Sequence, residues 1–258
     1  IYYYIRMLRI AYEVIKKFNP NSYVAPGGIG YPAFLDALLR YTDNPDGGKI
    51  TAKYPLTGGA YFDVLSYHCY PMYSLSYWDG TIPGFRQTGY SDKAAEVIVQ
   101  YKNEFESVLE QRGYDGKTHP RKLFILTETN IPRKAFDNYI GSDVAQLNFV
   151  IKALTYAQKA DIKQLYLYGI ADGRDYNTAT SGYGLMGLYE NLSTDKPGQQ
   201  RLTDEGKAFK TTSQLLYGWR FDSVRTNALM LPDSIGGAAF RSGNEYRYVL
   251  WAKTNIDL

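Results

Sequence analysis

The chain has 258 residues, of which 45% are hydrophobic and 21% are charged, an ordinary balance for one large α/β domain or two smaller ones. Its formal net charge of +3 comes from scattered Lys and Arg and gives no indication of nucleic-acid binding, and no apolar run approaches the roughly 18 residues that span a bilayer. One cysteine, Cys69, and two distant histidines exclude an internal disulfide and indicate no metal cluster, and we predict no cofactor.

The 26 tyrosines are the unusual part of the composition. Tyr has a flat apolar face and a polar tip, which suits a hydrated, ring-shaped ligand such as a sugar. For most of the 26 we expect the simpler alternative, in which they cover strands and loops.

Helical and strand patterns alternate along most of the chain. Strands are predicted over residues 23–28, 60–68, 123–126 and 162–170. Helices are predicted over residues 1–18, 32–41, 92–112, 143–159 and 203–217, with Thr203 as the N-cap of the last. Four repeats of this alternation indicate a parallel sheet built from βα units, and hence an α/β fold.

The pattern changes after Gly218, where residues 238–241 and 246–252 alternate like antiparallel strands. We therefore predict two domains, residues 1–218 and residues 219–258, the second being the start of a β-sandwich-like accessory domain. The chain opens on a helix without a preceding strand and closes on strands without partners, and four βα units cannot close an eight-stranded barrel. We expect strands 5–8 of a (β/α)8 TIM barrel whose N-terminal half is missing; a complete open α/β sheet is the alternative.

Polar and aromatic side chains follow three of the predicted strands. The strand ends are Tyr67-His68-Cys69-Tyr70, Thr127-Glu128-Thr129-Asn130, and the segment from Tyr166 through Tyr168 to Asp172. Since the carboxyl ends of parallel barrel strands converge on one rim, we expect these groups to share a pocket. This set favours retaining glycoside hydrolysis, in which one carboxylate attacks the anomeric carbon and a second protonates the leaving oxygen. We expect the Tyr70 phenol to hydrogen-bond Glu128 and keep it ionised and oriented.

These segments resemble the second half of a clan A glycoside hydrolase. The matching segments are His68-Cys69-Tyr70, Leu126-Thr127-Glu128-Thr129-Asn130, Gly182-Tyr183-Gly184-Leu185-Met186-Gly187-Leu188-Tyr189, Leu202-Thr203-Asp204-Glu205-Gly206 and Val249-Leu250-Trp251-Ala252. The later segments are most similar to the β-xylosidase and α-L-iduronidase family. The resemblance covers residues 1–218, with a weaker extension to residue 258, and it depends on the order and spacing of short motifs.

The resemblance implies a role for each matching residue. Glu128 matches the nucleophile of the clan, His68 and Tyr70 match a His-X-Tyr pair on the preceding strand, and Tyr168 takes the place of an aromatic platform for the sugar. The platform is usually Trp. The acid/base Glu of the family lies on an earlier strand that this sequence does not include, so we expect the isolated chain to be inactive.

Two further residues are predicted to contact the substrate. Asn130 follows Glu128 at the same strand end, and Trp78 lies in an aromatic loop after the second strand. Stacking of Trp78 on a sugar ring competes with the simpler alternative that the loop packs on its own barrel.

The predicted protein is a retaining glycoside hydrolase that acts on a β-linked plant or algal polysaccharide, or on an oligosaccharide from one. We expect it to be secreted or periplasmic, with the carbohydrate and the missing barrel half as its partners. The alternatives are a non-catalytic carbohydrate-binding barrel that has lost its acid pair and a structural barrel. In those alternatives Glu128 caps a helix or pairs with Arg133, and His68 is a structural histidine.

Overall fold

The computed structural model describes residues 1–87, 90–137, 139–190, 192, 198–254 and 256–257. Its helices are α1 (Tyr2–Phe18), α2 (Pro32–Arg40), α3 (Ser91–Gln111), α4 (Asp143–Lys159), α5 (Asp204–Leu216) and α6 (Ser223–Ala228). Its strands are β1 (Val64–His68), β2 (Ser76–Asp79), β3 (Gly84–Gln87), β4 (Leu123–Thr129), β5 (Lys134–Phe136), β6 (Tyr139–Ser142), β7 (Ile162–Leu167), β8 (Tyr189–Glu190), β9 (Arg201–Leu202), β10 (Arg220–Phe221), β11 (Ile235–Ser242) and β12 (Glu245–Ala252). Among the described residues, no helix is both long and apolar enough to cross a membrane.

The predicted α/β fold with a parallel sheet is confirmed, and β1, β4 and β7 form a sheet in that order. Helices α1 to α5 agree with the predicted ranges to within one residue at each end, because their apolar residues recur at helical spacing, whereas α6 was not predicted. The prediction of a strand at residues 23–28 is wrong. These residues are all described and form no strand; a single parallel bridge joins Ile29 to Tyr67 instead. Pro26 has no N–H to donate and Gly27-Gly28 has no side chains to pack, so a continuous ladder is disfavoured there.

The ends of two strands differ from the prediction in a way that matters for the site. β4 continues past Leu126 to Thr129, so that Glu128 lies within the last residues of the strand rather than after it. β7 ends at Leu167, which places Tyr168 directly after the strand.

The chain divides into two compact units, and the first consists of residues 1–68 and 100–127. In this unit α1 buries Ile5 and Leu8 on one face, and Leu65 of β1 and Leu126 of β4 are fully buried. Burial of each such side chain stabilises the fold by about 1.5–3 kcal/mol relative to exposure.

The second unit consists of residues 69–99 and 128–258. Helices α4 and α5 of this unit begin at side-chain caps. The Ser142 hydroxyl accepts a hydrogen bond from the backbone N–H of Ala145 at the start of α4. Thr203 accepts one from Gly206 at the start of α5, which confirms the predicted N-cap.

The predicted C-terminal hairpin is present as β11 and β12, whose register ends at the pair Ser242 and Glu245. The two-residue turn between them contains Gly243 at a positive φ of 58°, a conformation that Gly adopts at little cost. Contrary to the expectation that these strands lack partners, β10 pairs with β11 and completes a three-stranded antiparallel sheet. Residues 255 and 258 of the predicted accessory domain lie outside the described residues.

Two short hairpins were not predicted. β2 pairs with β3 within the segment that the sequence indicated as an aromatic loop, and β5 pairs with β6 directly before α4. Residues 88–89 of that loop lie outside the described part of the chain.

Candidate active site

Glu128 and Tyr70 are in direct contact in the second unit. The backbone N–H of Cys69 donates to the carbonyl oxygen of Glu128 over 2.9 Å and fixes the segment after β1 beside the end of β4. The hydroxyl of Tyr70 then donates to Oε2 of Glu128 over 2.8 Å. A neutral donor on a carboxylate is a strong type of hydrogen bond, so Tyr70 restricts the orientation of this carboxylate.

Two further tyrosines surround Tyr70. Its ring centroid lies 5.1 Å from that of Tyr183 and 6.0 Å from that of Tyr168, in edge-to-face geometry in both cases. Tyr168 and Tyr183 are also in edge-to-face contact, at 6.0 Å. Tyr168 keeps 41% and Tyr183 keeps 39% of its surface exposed. The carboxylate therefore lies beside aromatic rings that are accessible to a ligand.

The phenols of this cluster hold their protons strongly. Burial raises the pKa of Tyr70 above its ordinary value, and the hydrogen bond to Glu128 and its negative charge raise it further. Burial also raises the pKa of Tyr183, with additional contributions from its bond to Tyr73 and from the charge of Glu128. Both phenols are consequently neutral at neutral pH.

Asn130 supports the backbone of the site from within. Its side chain is fully buried, and Nδ2 donates to the carbonyl oxygens of Tyr168 at 2.6 Å and Met186 at 3.0 Å. Its Oδ1 accepts from the backbone N–H of Ile131 at 2.8 Å. These bonds position the backbone of Tyr168, and the contact of Asn130 with a substrate stays a prediction.

A buried ion pair anchors the segment after Tyr168. Arg133 binds Oδ2 of Asp172 through Nε at 2.8 Å and Nη2 at 2.7 Å, and Oδ1 of Asp172 accepts from the backbone N–H of Gly187 at 2.9 Å. Burial raises the pKa of Asp172, and the Gly187 bond and Arg133 oppose that shift. Arg133, which the sequence offered as a partner for Glu128, thus binds a different carboxylate.

Glu205, in the first turn of α5, is the most buried carboxyl group near this site, with 1% of its surface exposed. Among the residues that the structure describes, neither of its oxygens has a hydrogen-bond partner. Burial raises its pKa well above the ordinary value; the nearby Asn130 amide opposes the shift and the charge of Asp172 adds to it. The side chain is thus favoured in its neutral form.

Other contacts are described for two predicted site residues, His68 and Trp78. His68 ends β1 in the first unit, and its imidazole packs so closely on Gly28 that a Cβ added there would lie 1.8 Å from Nε2. Trp78, on β2, is 60% exposed and packs edge-to-face against Phe85 of β3 at 5.4 Å. Their contacts with a substrate stay predictions.

Sequence reasoning missed Tyr183 and Tyr73. The Tyr73 hydroxyl donates to that of Tyr183 over 3.1 Å, which extends the cluster. Tyr183 belongs to the segment Gly182-Tyr183-Gly184, which resembles the hydrolase family, but no regular spacing in the sequence indicates that it lies near Glu128. Within the described ranges, no group of three or more His, Cys, Asp or Glu side chains is arranged to hold a metal ion.

No protein-family model matches the chain, and no curated protein matches it in sequence. Solved structures share its fold. A family 51 arabinofuranosidase from Xanthomonas axonopodis pv. citri matches with 9% identity and a TM-score of 0.54 over 96% of this chain and 48% of that chain. The thermostable family 51 α-L-arabinofuranosidase from Thermotoga petrophila RKU-1 matches with 14% identity and a TM-score of 0.51 over 96% of this chain and 38% of that chain.

The α-L-arabinofuranosidase from Thermotoga maritima, in its arabinose complex, matches with 14% identity and a TM-score of 0.50, again over 96% of this chain and 38% of that chain. The resemblance to clan A glycoside hydrolases, which are TIM barrels, is confirmed at the level of the fold. This chain spans less than half the length of these three proteins.

Proposed function

We propose that the chain carries the nucleophilic half of a retaining glycoside hydrolase, with Glu128 as the nucleophile. The observation that supports this assignment most directly is the 2.8 Å hydrogen bond from Tyr70 to Glu128 within a cluster of partly exposed tyrosines. A carboxylate at the end of a buried strand is costly unless it is bound or used, and here the Tyr70 phenol donates a hydrogen bond to it. Since a fold alone does not determine a function, the geometry at Glu128 carries more weight than the likeness to known hydrolases.

In the proposed reaction, a Glu128 oxygen attacks the anomeric carbon and forms a glycosyl ester as the bond to the leaving oxygen breaks. A second carboxylic acid donates a proton to that oxygen, then removes a proton from the water that hydrolyses the ester. Tyr70 orients Glu128 during attack, and the exposed face of Tyr168 forms a platform for the sugar ring. We retain His68, two residues before Tyr70, and Trp78 as candidate contacts with the substrate.

The acid/base residue is proposed to belong to the N-terminal half of a TIM barrel. Residues 1–218 are proposed to form the C-terminal part of that barrel, with β1, β4 and β7 as strands 6–8, and residues 219–258 to begin an accessory domain. The greater length of the barrel hydrolases that share this fold supports the suggestion. The upstream coding sequence is expected to contain an Asn-Glu pair at the end of a predicted strand. A polymeric plant or algal substrate does not enter cells intact, so the proposal includes a secreted or periplasmic location.

Covalent trapping tests Glu128 without the acid/base residue. Dinitrophenyl glycosides with fluorine at C2 have a leaving group that departs without protonation, and the fluorine slows hydrolysis of the glycosyl ester. Incubation with the xylosyl, glucosyl and arabinofuranosyl reagents is expected to release one dinitrophenolate per chain and to add one fluorosugar to the peptide that contains Glu128, as measured by mass spectrometry.

The matched control replaces a carboxylate elsewhere. Glu128→Gln is expected to abolish labelling, whereas Glu104→Gln, an exposed residue of α3, is expected to label like the wild type. Labelling of another carboxylate, or undiminished labelling of the Glu128→Gln variant, contradicts the assignment. If all three reagents fail to label the chain but unmodified oligosaccharides bind, the non-catalytic carbohydrate-binding alternative is favoured.

A further inference from the structure

A row of five tyrosines leads away from Glu128, and we refer to it as the tyrosine row. In spatial order its members are Tyr168, Tyr70, Tyr183, Tyr73 and Tyr139. Beyond Tyr183, the row continues to Tyr73 through the hydrogen bond between the two hydroxyls and a ring separation of 6.5 Å. Tyr73 then meets Tyr139 edge-to-face at 4.9 Å. All five residues belong to the second unit, so the row is continuous within one compact body.

A cavity of about 280 Å³ lies at the far end of the row. Its lining residues are Met72, Tyr73, Pro132, Phe136, Asp137, Tyr139, Thr180, Ser181, Gly182 and Tyr183. Ligand pockets in proteins usually measure about 300–1,000 Å³, so this cavity is slightly below that range and matches one ring better than an extended ligand. Tyr183 lines the cavity and also touches Tyr70, which connects the cavity to Glu128.

The chemistry of the lining suits a sugar. Tyr73, Phe136 and Tyr139 offer apolar ring surfaces, on which the C–H face of a pyranose or furanose can pack. Thr180 and Ser181 add hydroxyl groups that are exposed to solvent. A ligand with one apolar face and several hydroxyl groups satisfies both kinds of surface at once.

Asp137 gives the cavity an acceptor for hydroxyl groups. It is exposed at the turn between β5 and β6 and has a positive φ of 47°, a conformation that Asp and Asn adopt more readily than most residues. The two oxygens of a carboxylate can accept hydrogen bonds from two neighbouring hydroxyl groups of a sugar.

We propose that this cavity is a second sugar-binding subsite, separate from the position of the sugar that Glu128 attacks. The inference rests on the proposed function and adds to it. The substrate is an oligosaccharide or polysaccharide whose chain follows the tyrosine row, so that one sugar lies at Glu128 and a later one lies against Tyr139 and Asp137. Affinity is therefore expected to rise with the number of sugar residues.

The dependence of affinity on chain length tests the subsite. In a Glu128→Gln background, which prevents turnover, binding of xylo-, arabino- and laminari-oligosaccharides of one to four residues is measured by calorimetry. Affinity for at least one series is expected to rise with length, and Tyr139→Ala is expected to reduce the gain about 3- to 10-fold, as expected for the loss of one aromatic contact. Tyr217→Ala, a control at an exposed tyrosine after α5, is expected to retain the whole gain.

A second variant keeps the test valid if Tyr139→Ala folds poorly. Asp137→Asn preserves the shape of the side chain and its tolerance of positive φ, so the turn is retained while the charge is lost. It is expected to weaken only the binding of the longer oligosaccharides. A gain in affinity with length that neither variant reduces overturns the proposed subsite, and so does the absence of any such gain.

The two proposals fail in different ways. Labelling of Glu128 without any dependence on chain length removes the second subsite and leaves the hydrolase assignment intact. A length dependence that is sensitive to Tyr139 and Asp137, in a chain that no reagent labels at Glu128, leaves a carbohydrate-binding site and removes the hydrolase assignment.

Discussion

Glu205 is expected to make the stability of the chain depend on pH, and Glu205→Gln to remove that dependence. The carboxyl group has 1% of its surface exposed, and neither oxygen has a partner among the described residues. An ionised carboxylate without partners is strongly disfavoured in such a site, so burial raises the pKa of Glu205 in the folded chain. Gln has nearly the same shape and no charge at any pH.

The direction follows from proton binding. In the unfolded chain Glu205 ionises near the ordinary pKa of a Glu side chain, whereas in the folded chain it keeps its proton to higher pH. Between these two pKa values the unfolded chain binds fewer protons than the folded chain, so stability falls as the pH rises. The contribution of Glu205 to stability is complete below the pKa of the unfolded chain and is lost as the pH rises through the pKa of the folded chain. The loss amounts to about 1.4 kcal/mol for each pH unit within this window.

Urea unfolding of both proteins, at several pH values from about 5 to about 7, measures the effect. The free energy of unfolding of Glu205→Gln, minus that of the wild type, is expected to increase with pH at the slope given above until the folded pKa is reached. The buried Gln amide adds two donors that need partners, which shifts the difference by an amount that does not change with pH. Glu104→Gln, the same substitution on the exposed side of α3, is expected to give no slope. A difference that stays constant over the range, or falls with pH, shows that Glu205 is ionised in the folded chain.

Two other substitutions follow from single contacts. Tyr70→Phe removes the 2.8 Å hydrogen bond to Glu128 and is expected to slow the labelling of Glu128 by the C2-fluorinated reagents about 10- to 100-fold. The reason is that a hydrogen bond to a charged group contributes about 1.5–3 kcal/mol. An unchanged labelling rate contradicts the orienting role of Tyr70. Lys152→Met leaves Asp92 buried without its ion pair of 2.7 Å and is expected to lower the free energy of unfolding by about 3–5 kcal/mol. The double variant Lys152→Met with Asp92→Asn is expected to recover part of this loss. A loss below about 1 kcal/mol in the single variant contradicts the role of the pair.

The sequence predicted the helices well because their signals are local. The apolar residues of α4 recur at helical spacing, Ser142 caps its first turn and Lys159 ends it, so the range 143–159 is correct at both ends. The strands were predicted less well at their ends. An apolar run indicates β4, but Glu128 and Thr129 are polar and still belong to the strand, since pairing of the backbone, which sequence does not reveal, decides where a strand stops.

The contact between Tyr70 and Glu128 was predictable, and the rest of the tyrosine row was not. Tyr70 follows one buried strand and Glu128 ends the next, so parallel pairing brings them together. Tyr73, Tyr139 and Tyr183 come from three separate segments: Tyr73 and Tyr183 from short 3-10 helices and Tyr139 from β6. Their approach depends on the turn at Pro71–Ser74 and on the hairpin of β5 and β6, and neither leaves a periodic pattern that a sequence reveals.

The polar residues around Glu128 divide into two groups that a sequence does not distinguish. Asn130, Arg133 and Asp172 form hydrogen bonds within the protein. Asn130 binds the carbonyl oxygen of Tyr168, and Asp172, which Arg133 binds, accepts from the backbone N–H of Gly187. Tyr168 and Tyr183 keep about two fifths of their surfaces exposed. Because the Asn130 bond acts on the backbone carbonyl of Tyr168, it fixes the position of Tyr168 without occupying its ring. A rigid backbone that presents open aromatic faces beside a carboxylate is the arrangement that sugar binding requires, since little conformational entropy is lost when the ligand arrives.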